Sequence, residues 1–194
     1  MSKVILDMSM SLDGYVTAAG ATPQEPAGAG GDRLTEWAMG GDAATAGLLA
    51  ASAASLGAII SGRRTYDTSL PWWGADGPTG PARLPLFVVT HGPPPGDVPE
   101  GGVYTFVTDG IESALKQARE AAGGRDVAVM GGADTARRFL RAGLVDHIGI
   151  HLAPVIFGGG GRLFDDIGDA HVRLEVVDVT GTPKATHLLY RIVK

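Results

Sequence analysis

Two short apolar runs in this chain end on glycine and pass at once into a helix start. Ala58-Ile59-Ile60-Ser61 leads into Gly62-Arg63-Arg64-Thr65, and Val127-Ala128-Val129-Met130 leads into Gly131-Gly132-Ala133-Asp134-Thr135. Junctions of this kind belong to βα units, in which parallel strands are joined by crossover helices. The remaining pattern agrees. Val4 to Met10 reads as a buried strand, Asp42 to Ser55 as an Ala- and Leu-rich helix, and Leu56 to Ser61 as a second strand. Gly62 to Thr65 opens a brief helix, Leu86 to Thr90 is the third strand, and Val103 to Val107 a weaker fourth.

Ile111, Ala114, Leu115 and Ala118 then repeat at the spacing of a core-facing helical stripe, with Thr108 or Asp109 as cap and Gly123-Gly124 as stop. Asp126 to Met130 is a strand and Asp134 to Ala142 a helix. Three long strands follow without intervening helices: Val145 to Val155, His171 to Thr180 and Thr186 to Val193. This order predicts an α/β chain, residues 1–194 as one domain, with a mostly parallel central sheet finished by an antiparallel C-terminal edge. Residues 18 to 32 and 71 to 85 read as long loops, and Pro93-Pro94-Pro95-Gly96 as a breaker run.

Composition removes several classes of function. The 194 residues contain no cysteine, which excludes disulfides, thiolate metal sites and a cysteine nucleophile. The formal net charge is −5, and no basic stripe offers itself to a phosphate backbone. Arg137, Arg138 and Arg141 read as the solvated face of one helix. Neither a secretory signal nor a membrane span is visible, so a soluble, cytoplasmic protein is expected.

The two glycine junctions carry the chemistry. Glycine lets a ligand approach the backbone closely, and a helix start offers unpaired amides and a positive dipole end to phosphate. Arg63, Arg64 and Thr65 would add guanidinium and hydroxyl donors. Each junction alone is equally compatible with a tight turn. Two in one sheet match a dinucleotide pyrophosphate at the carboxyl ends of the strands. Thr90-His91 closes another strand, either as a plain terminus or as a contact for adenosine.

Asp7 is the odd residue of the first strand, at a solvated edge or lining a polar site where it would suit proton donation. Trp37 reads as a plug for the preceding loop or as a wall for a flat substrate. His147 and His151 would stand roughly 13 Å apart along a strand, too far to share a metal ion. Gly158 to Gly161 lacks the lysine and hydroxyl of a phosphate-binding P-loop and reads as a mobile loop. No G-x-S-x-G elbow occurs.

Five segments in order resemble the dihydrofolate-reductase-like superfamily, and in particular the branch related to the C-terminal reductase domain of riboflavin biosynthesis. They are Met8 to Tyr15, Gly62 to Tyr66, Phe87 to His91, Met130 to Val145, and Ile150 to Phe164. The resemblance implies a three-layer αβα fold, bound NADPH, a small-molecule substrate and a homodimer formed through the late strands. It implies pyrophosphate contacts from Gly131, Gly132, Ala133, Asp134 and Thr135, and phosphate contacts from Gly62, Arg63, Arg64 and Thr65. Thr90 and His91 would flank the adenosine. Met8 and Ser9 would meet the nicotinamide carboxamide, and Gly14 and Tyr15 would belong to a closing loop.

Asp7, the candidate proton donor, and Trp37 would lie on the substrate side. The expected reaction is hydride transfer to a C=N or C=O bond of a small heterocycle, pterin- or pyrimidine-like. Dihydrofolate reductases carry an acidic residue on their first helix, where Trp37 stands here, and that departure argues against folate. The rival readings are an NADPH-binding module without catalysis and a structural or partner-binding protein on the same fold.

Overall fold

The computed structural model describes residues 2–22, 24–93, 96–168 and 171–194, so Pro94 and Pro95 of the breaker run lie outside the described residues. The strands are β1 (Val4–Ser11), β2 (Tyr15–Ala18), β3 (Leu56–Gly62), β4 (Leu86–Val89), β5 (Tyr104–Val107), β6 (Asp126–Val129), β7 (His147–Ala153), β8 (Gly160–Arg162), β9 (Leu174–Gly181) and β10 (Thr186–Ile192). The helices are α1 (Ala43–Ser55), α2 (Arg63–Trp73), α3 (Ile111–Ala122) and α4 (Ala133–Arg141).

Eight strands form one sheet in the order β5-β4-β3-β6-β1-β7-β10-β9. β5 through β7 are mutually parallel, and β10 and β9 complete the sheet antiparallel. This is the α/β architecture that the element order predicts. Its antiparallel edge arises because the last three strands have no helix to carry the chain back across the sheet.

Strand alternation divides the core between the two faces. Val4, Leu6, Ile60, Val127 and Val129 pack with α3 and α4 through Leu115, Ala118 and Phe139. Ile59, Leu86, Val88 and Ala128 pack on the opposite face with Tyr66 of α2. α1 lies over that second face too, since Leu48, Ala51 and Ser52 share a cavity with Ile5, Asp7 and Ala128.

Four local expectations are corrected. The brief helix at Gly62 extends to Trp73, because Tyr66, Leu70 and Trp73 recur at helical spacing and pack into the core, with Pro71 tolerated in the last turn. The loop from 71 to 85 contains a 3-10 turn at Gly77–Ala82. α3 takes Gly110 rather than Thr108 or Asp109 as its cap, with no side-chain bond, since Gly110 adopts φ 108°. The glycine run, read as a mobile loop, supplies β8, which pairs with β2 in a separate two-stranded sheet. A Cβ on Gly160 would lie 1.9 Å from the Thr17 carbonyl oxygen, so only glycine lets the two strands approach.

Candidate active site

The two strand-to-helix junctions meet across neighbouring strands. The Gly62 amide donates to the Gly131 carbonyl at 3.0 Å, and Met130 donates to Ile60 at 2.9 Å. Each junction then places its threonine against the other's glycine. A Cβ on Gly62 would stand 2.4 Å from Thr135 Oγ1, and one on Gly131 would stand 2.9 Å from Thr65 Oγ1. Gly131 also has φ 72°, and the Gly131–Gly132 peptide is cis. The Gly131 amide donates to Met8 Sδ at 3.0 Å, which ties both junctions to β1 one residue from Asp7.

The helix starts at this meeting point are open. Gly62 is the N-terminal cap residue of α2 and Gly132 that of α4, neither with a side-chain hydrogen bond, which leaves first-turn amides without intrahelical partners. α1 makes the contrast: Asp42 accepts from the Thr45 amide at 2.9 Å and from its hydroxyl at 2.7 Å. Those two bonds, the amide first, hold the Asp42 carboxyl below its ordinary range. Arg64, Asp134 and His91 are exposed, and Ala133 is half-buried. Arg63 pairs with Asp67 at 2.7 Å and donates to the Pro93 carbonyl at 3.0 Å. Buried Thr90 closes β4, where its hydroxyl accepts from the Gly92 amide at 3.2 Å.

Gly14 and Tyr15 make their contacts elsewhere, against the two-stranded sheet. The Leu163 amide donates to the Gly14 carbonyl at 3.1 Å, and the Arg162 guanidinium lies 4.7 Å from the centre of the Tyr15 ring. Asp13 fastens this region. It accepts from the Ser11 hydroxyl at 2.7 Å, the Gly158 amide at 2.7 Å and the Phe157 amide at 3.1 Å. Desolvation pushes its pKa up, but those hydrogen bonds outweigh it and hold the group at about 2.

Asp7 projects into a different arrangement. It helps line a cavity of about 250 Å³ with His151, His187, Leu48, Leu56 and Leu189. His151 Nε2 lies 2.9 Å from Asp7 Oδ1, and the two side chains are 15% and 28% exposed. His151 Nδ1 is 2.7 Å from His187 Nδ1, and His187 Nε2 is 3.1 Å from the Thr182 hydroxyl. Burial first, then the neighbouring His151, pushes the His187 pKa down. A Cβ on Gly149 would come within 3.1 Å of Asp7 Oδ1, so glycine at that position leaves room for the carboxyl.

Trp37 covers this cluster rather than lining the cavity with Asp7. It is 6% exposed, its ring lies 4.1 Å from that of His151, and its Nε1 donates to Ser9 Oγ at 2.9 Å. The structure thus brings Gly62, Thr65, Gly131, Gly132, Thr135 and Met8 into one group, and Asp7, Ser9 and Trp37 into another. His151 and His187 are the members that sequence reasoning passed over. His151 entered only as half of a rejected metal pair with His147. His187 shares its strand with Thr186 and Arg191, so nothing in the local pattern singled it out.

The family model described as the RibD C-terminal domain matches residues 2–188. The chain belongs to the RibD C-terminal domain family. Solved structures share its dihydrofolate-reductase-like fold at low identity. A Shewanella sp. PV-4 protein named for riboflavin biosynthesis is 19% identical with a TM-score of 0.69, and 99% of each chain is covered. A Thermotoga maritima diaminohydroxyphosphoribosylaminopyrimidine deaminase/5-amino-6-(5-phosphoribosylamino)uracil reductase is 15% identical with a TM-score of 0.66; 99% of this chain covers 57% of that one. A dihydrofolate reductase from Enterococcus faecalis, solved with NADP(H), is 14% identical with a TM-score of 0.62, covering 99% of this chain and 97% of that one. No curated protein matches the chain in sequence. Among the described residues, no helix is long and apolar enough to cross a membrane.

Proposed function

We propose that this RibD C-terminal domain protein is an NADPH-dependent reductase of a small heterocycle, pyrimidine- or pterin-like, acting on a C=N or C=O bond. The observation that carries the reading is the meeting of two uncapped helix starts, tied by the Gly131 amide and Met8 Sδ to the strand that bears Asp7. Gly62 and Gly132 leave amides available to phosphate oxygens, and the Thr65 and Thr135 hydroxyls stand between the junctions. Arg63 and Arg64 supply positive charge at the start of α2, and Thr90 with His91 lies at the end of β4 for the adenosine side. This donor set fits a dinucleotide diphosphate.

NADPH would supply hydride when bound. The chain's own contributions are orientation, exclusion of water and a proton. Met8 and Ser9 would meet the nicotinamide end, with Gly14 and Tyr15 closing over it. Asp7 would pass the proton to the substrate, at a cavity whose other walls include Leu48, Leu56 and Leu189. The small-molecule role suits a cytoplasmic enzyme. The late strands suit a homodimer, because Leu174, Val176, Val177 and Val179 leave β9 exposed and apolar.

Titration of the purified protein with NADPH and, separately, NADH tests the cofactor assignment by nicotinamide fluorescence or calorimetry. NADPH is expected to bind at least about tenfold tighter, roughly 1.4 kcal/mol. Absence of binding by either nucleotide would overturn the reductase reading in favour of a structural role. Tight binding with no oxidation across a panel of reducible pyrimidines and pteridines would favour a binding module.

A further inference from the structure

Four polar side chains from β1, β7, β10 and the β9–β10 turn form one continuous hydrogen-bonded line. Asp7 Oδ1 meets His151 Nε2 at 2.9 Å. His151 Nδ1 meets His187 Nδ1 at 2.7 Å, and His187 Nε2 meets the Thr182 hydroxyl at 3.1 Å. That hydroxyl is also 3.1 Å from the Ala185 carbonyl oxygen, which can only accept. His187 is buried and Thr182 half-buried, while Asp7 lines the cavity. One end of the line therefore lies at the hairpin turn and the other at the candidate substrate site.

Counting donors gives two fully bonded states that differ by one proton. In the neutral state the Thr182 hydroxyl donates to His187 Nε2, His187 Nδ1–H donates to His151 Nδ1, and His151 Nε2–H donates to Asp7. In the charged state Thr182 donates to Ala185 instead and accepts from His187 Nε2–H. His151 then carries both ring protons, one donated to His187 and one to the Asp7 carboxylate. Every bond from Thr182 to the His151–His187 contact reverses between the two, and no donor or acceptor in the line loses its partner.

We propose that Thr182, His187, His151 and Asp7 are a proton relay that reloads Asp7 from solvent at the β9–β10 turn. The relay rests on the reductase reading. During reduction the substrate carbon gains hydride from the reduced nicotinamide, which is left oxidised. The π pair of the C=N or C=O bond moves to the heteroatom, which takes a proton from the Asp7 carboxyl. That carboxyl is loaded from the charged state, when the His151 Nε2 proton passes to the Asp7 carboxylate and leaves His151 Nδ1–H and His187 Nε2–H. The two rings then reorient to the tautomers of the neutral state. A solvent proton entering at Thr182 binds His187 Nε2 as the His187 Nδ1 proton moves to His151 Nδ1, which restores the charged state. Net consumption is one hydride and one proton per bond reduced.

The surroundings support a proton held inside this line. Asp7 on β1, Asp42 at the start of α1 and Asp178 on β9 are the charged groups that face the imidazoles, all of them acidic. Trp37 closes the remaining side, packed 4.1 Å from His151 and 4.9 Å from His187, ring centre to ring centre. Solvent exchange is thereby directed to the two ends.

The test changes one end and reads the other, in the cofactor-free protein. Thr182→Val removes a hydroxyl that touches His187 but not His151. Imidazole ¹⁵N spectra at pH 6 are expected to show the protonated His151 population falling at least about threefold, because the charged state needs His187 in its Nε2–H form, and without Thr182 that buried donor has no acceptor. Thr182→Ser should restore it. An unchanged His151 spectrum in Thr182→Val would overturn the relay. NADPH titration of the wild-type protein runs alongside. Coupled imidazoles without nucleotide binding would overturn the reductase reading and keep the proton line; nucleotide binding without coupling would do the reverse.

Discussion

β3 is buried along all seven of its residues, whereas β9 is exposed at seven of its eight. Both strands are rich in apolar side chains, so composition does not separate them. Position does. β3 has β4 and β6 on its flanks, α3 on one face and α2 on the other. β9 is the last strand of the sheet, paired only with β10. The parallel half is thus complete within one chain, while the antiparallel half presents Leu174, Val176, Val177 and Val179 to whatever covers it. The relay line sits where the two halves join, with His151 on the last parallel strand, His187 on the antiparallel strand beside it and Asp7 one strand further in.

That comparison can be broken at several points. Phe139 is fully buried between α4 and the parallel half, so Phe139→Ala is expected to cost about 3–5 kcal/mol in urea unfolding. A much smaller loss would mean that this half is less closely packed than its burial implies. Gly131→Ala meets both a positive φ and Thr65 Oγ1 at 2.9 Å, and should cost about 1–3 kcal/mol. The same variant should weaken NADPH binding at least tenfold; unchanged affinity would detach the junction from the cofactor.

Val176→Asp tests the other half. The homodimer proposal expects light scattering to give a dimer for the wild-type chain and a monomer for the variant, with circular dichroism unchanged. A wild-type chain that is already monomeric would mean that β9 faces water in solution.

The smallest expected effect is one of pH. His147, on β7 at the seam, is 8% exposed, and its Nδ1 has no hydrogen-bond partner among the described residues. Burial first, then Lys3, pushes its pKa below the ordinary 6.5. A depressed histidine favours the folded state fully above the unfolded value, and that contribution is lost as pH falls below 6.5 towards the folded value. Melting temperature should therefore drop between pH 7.5 and pH 5, and His147→Gln should flatten the slope. An equal slope in the variant would assign the acid sensitivity to other groups, buried His187 first among them.

Much of the fold was legible because its signals are local. Ile111, Ala114, Leu115 and Ala118 announce the buried face of α3, and all four are buried. Gly123 ends that helix with φ 60°, as a left-handed stop should. The glycine junctions were equally readable, since a strand end followed by glycine and a helix start occupies a few consecutive residues. The extent of α2 was less visible, because Pro71 reads as a stop unless the packing of Tyr66, Leu70 and Trp73 is known. Gly160 to Arg162 could not be read as a strand, because its partner β2 lies far away in sequence and glycine carries no strand propensity of its own.

By itself, the sequence determined the chain order of the eight central-sheet strands and the helices between them, the parallel-then-antiparallel plan and the two glycine junctions. Each of these depends on neighbours within a few positions. Only the tertiary structure decided that Gly62 packs on Thr135 and Gly131 on Thr65, and that Asp7 meets His151. The pairing of His151 with His187 depends on antiparallel register, which sets those two residues opposite one another. A shift of one residue would turn His187 to the other face of the sheet and break the line from Thr182 to Asp7.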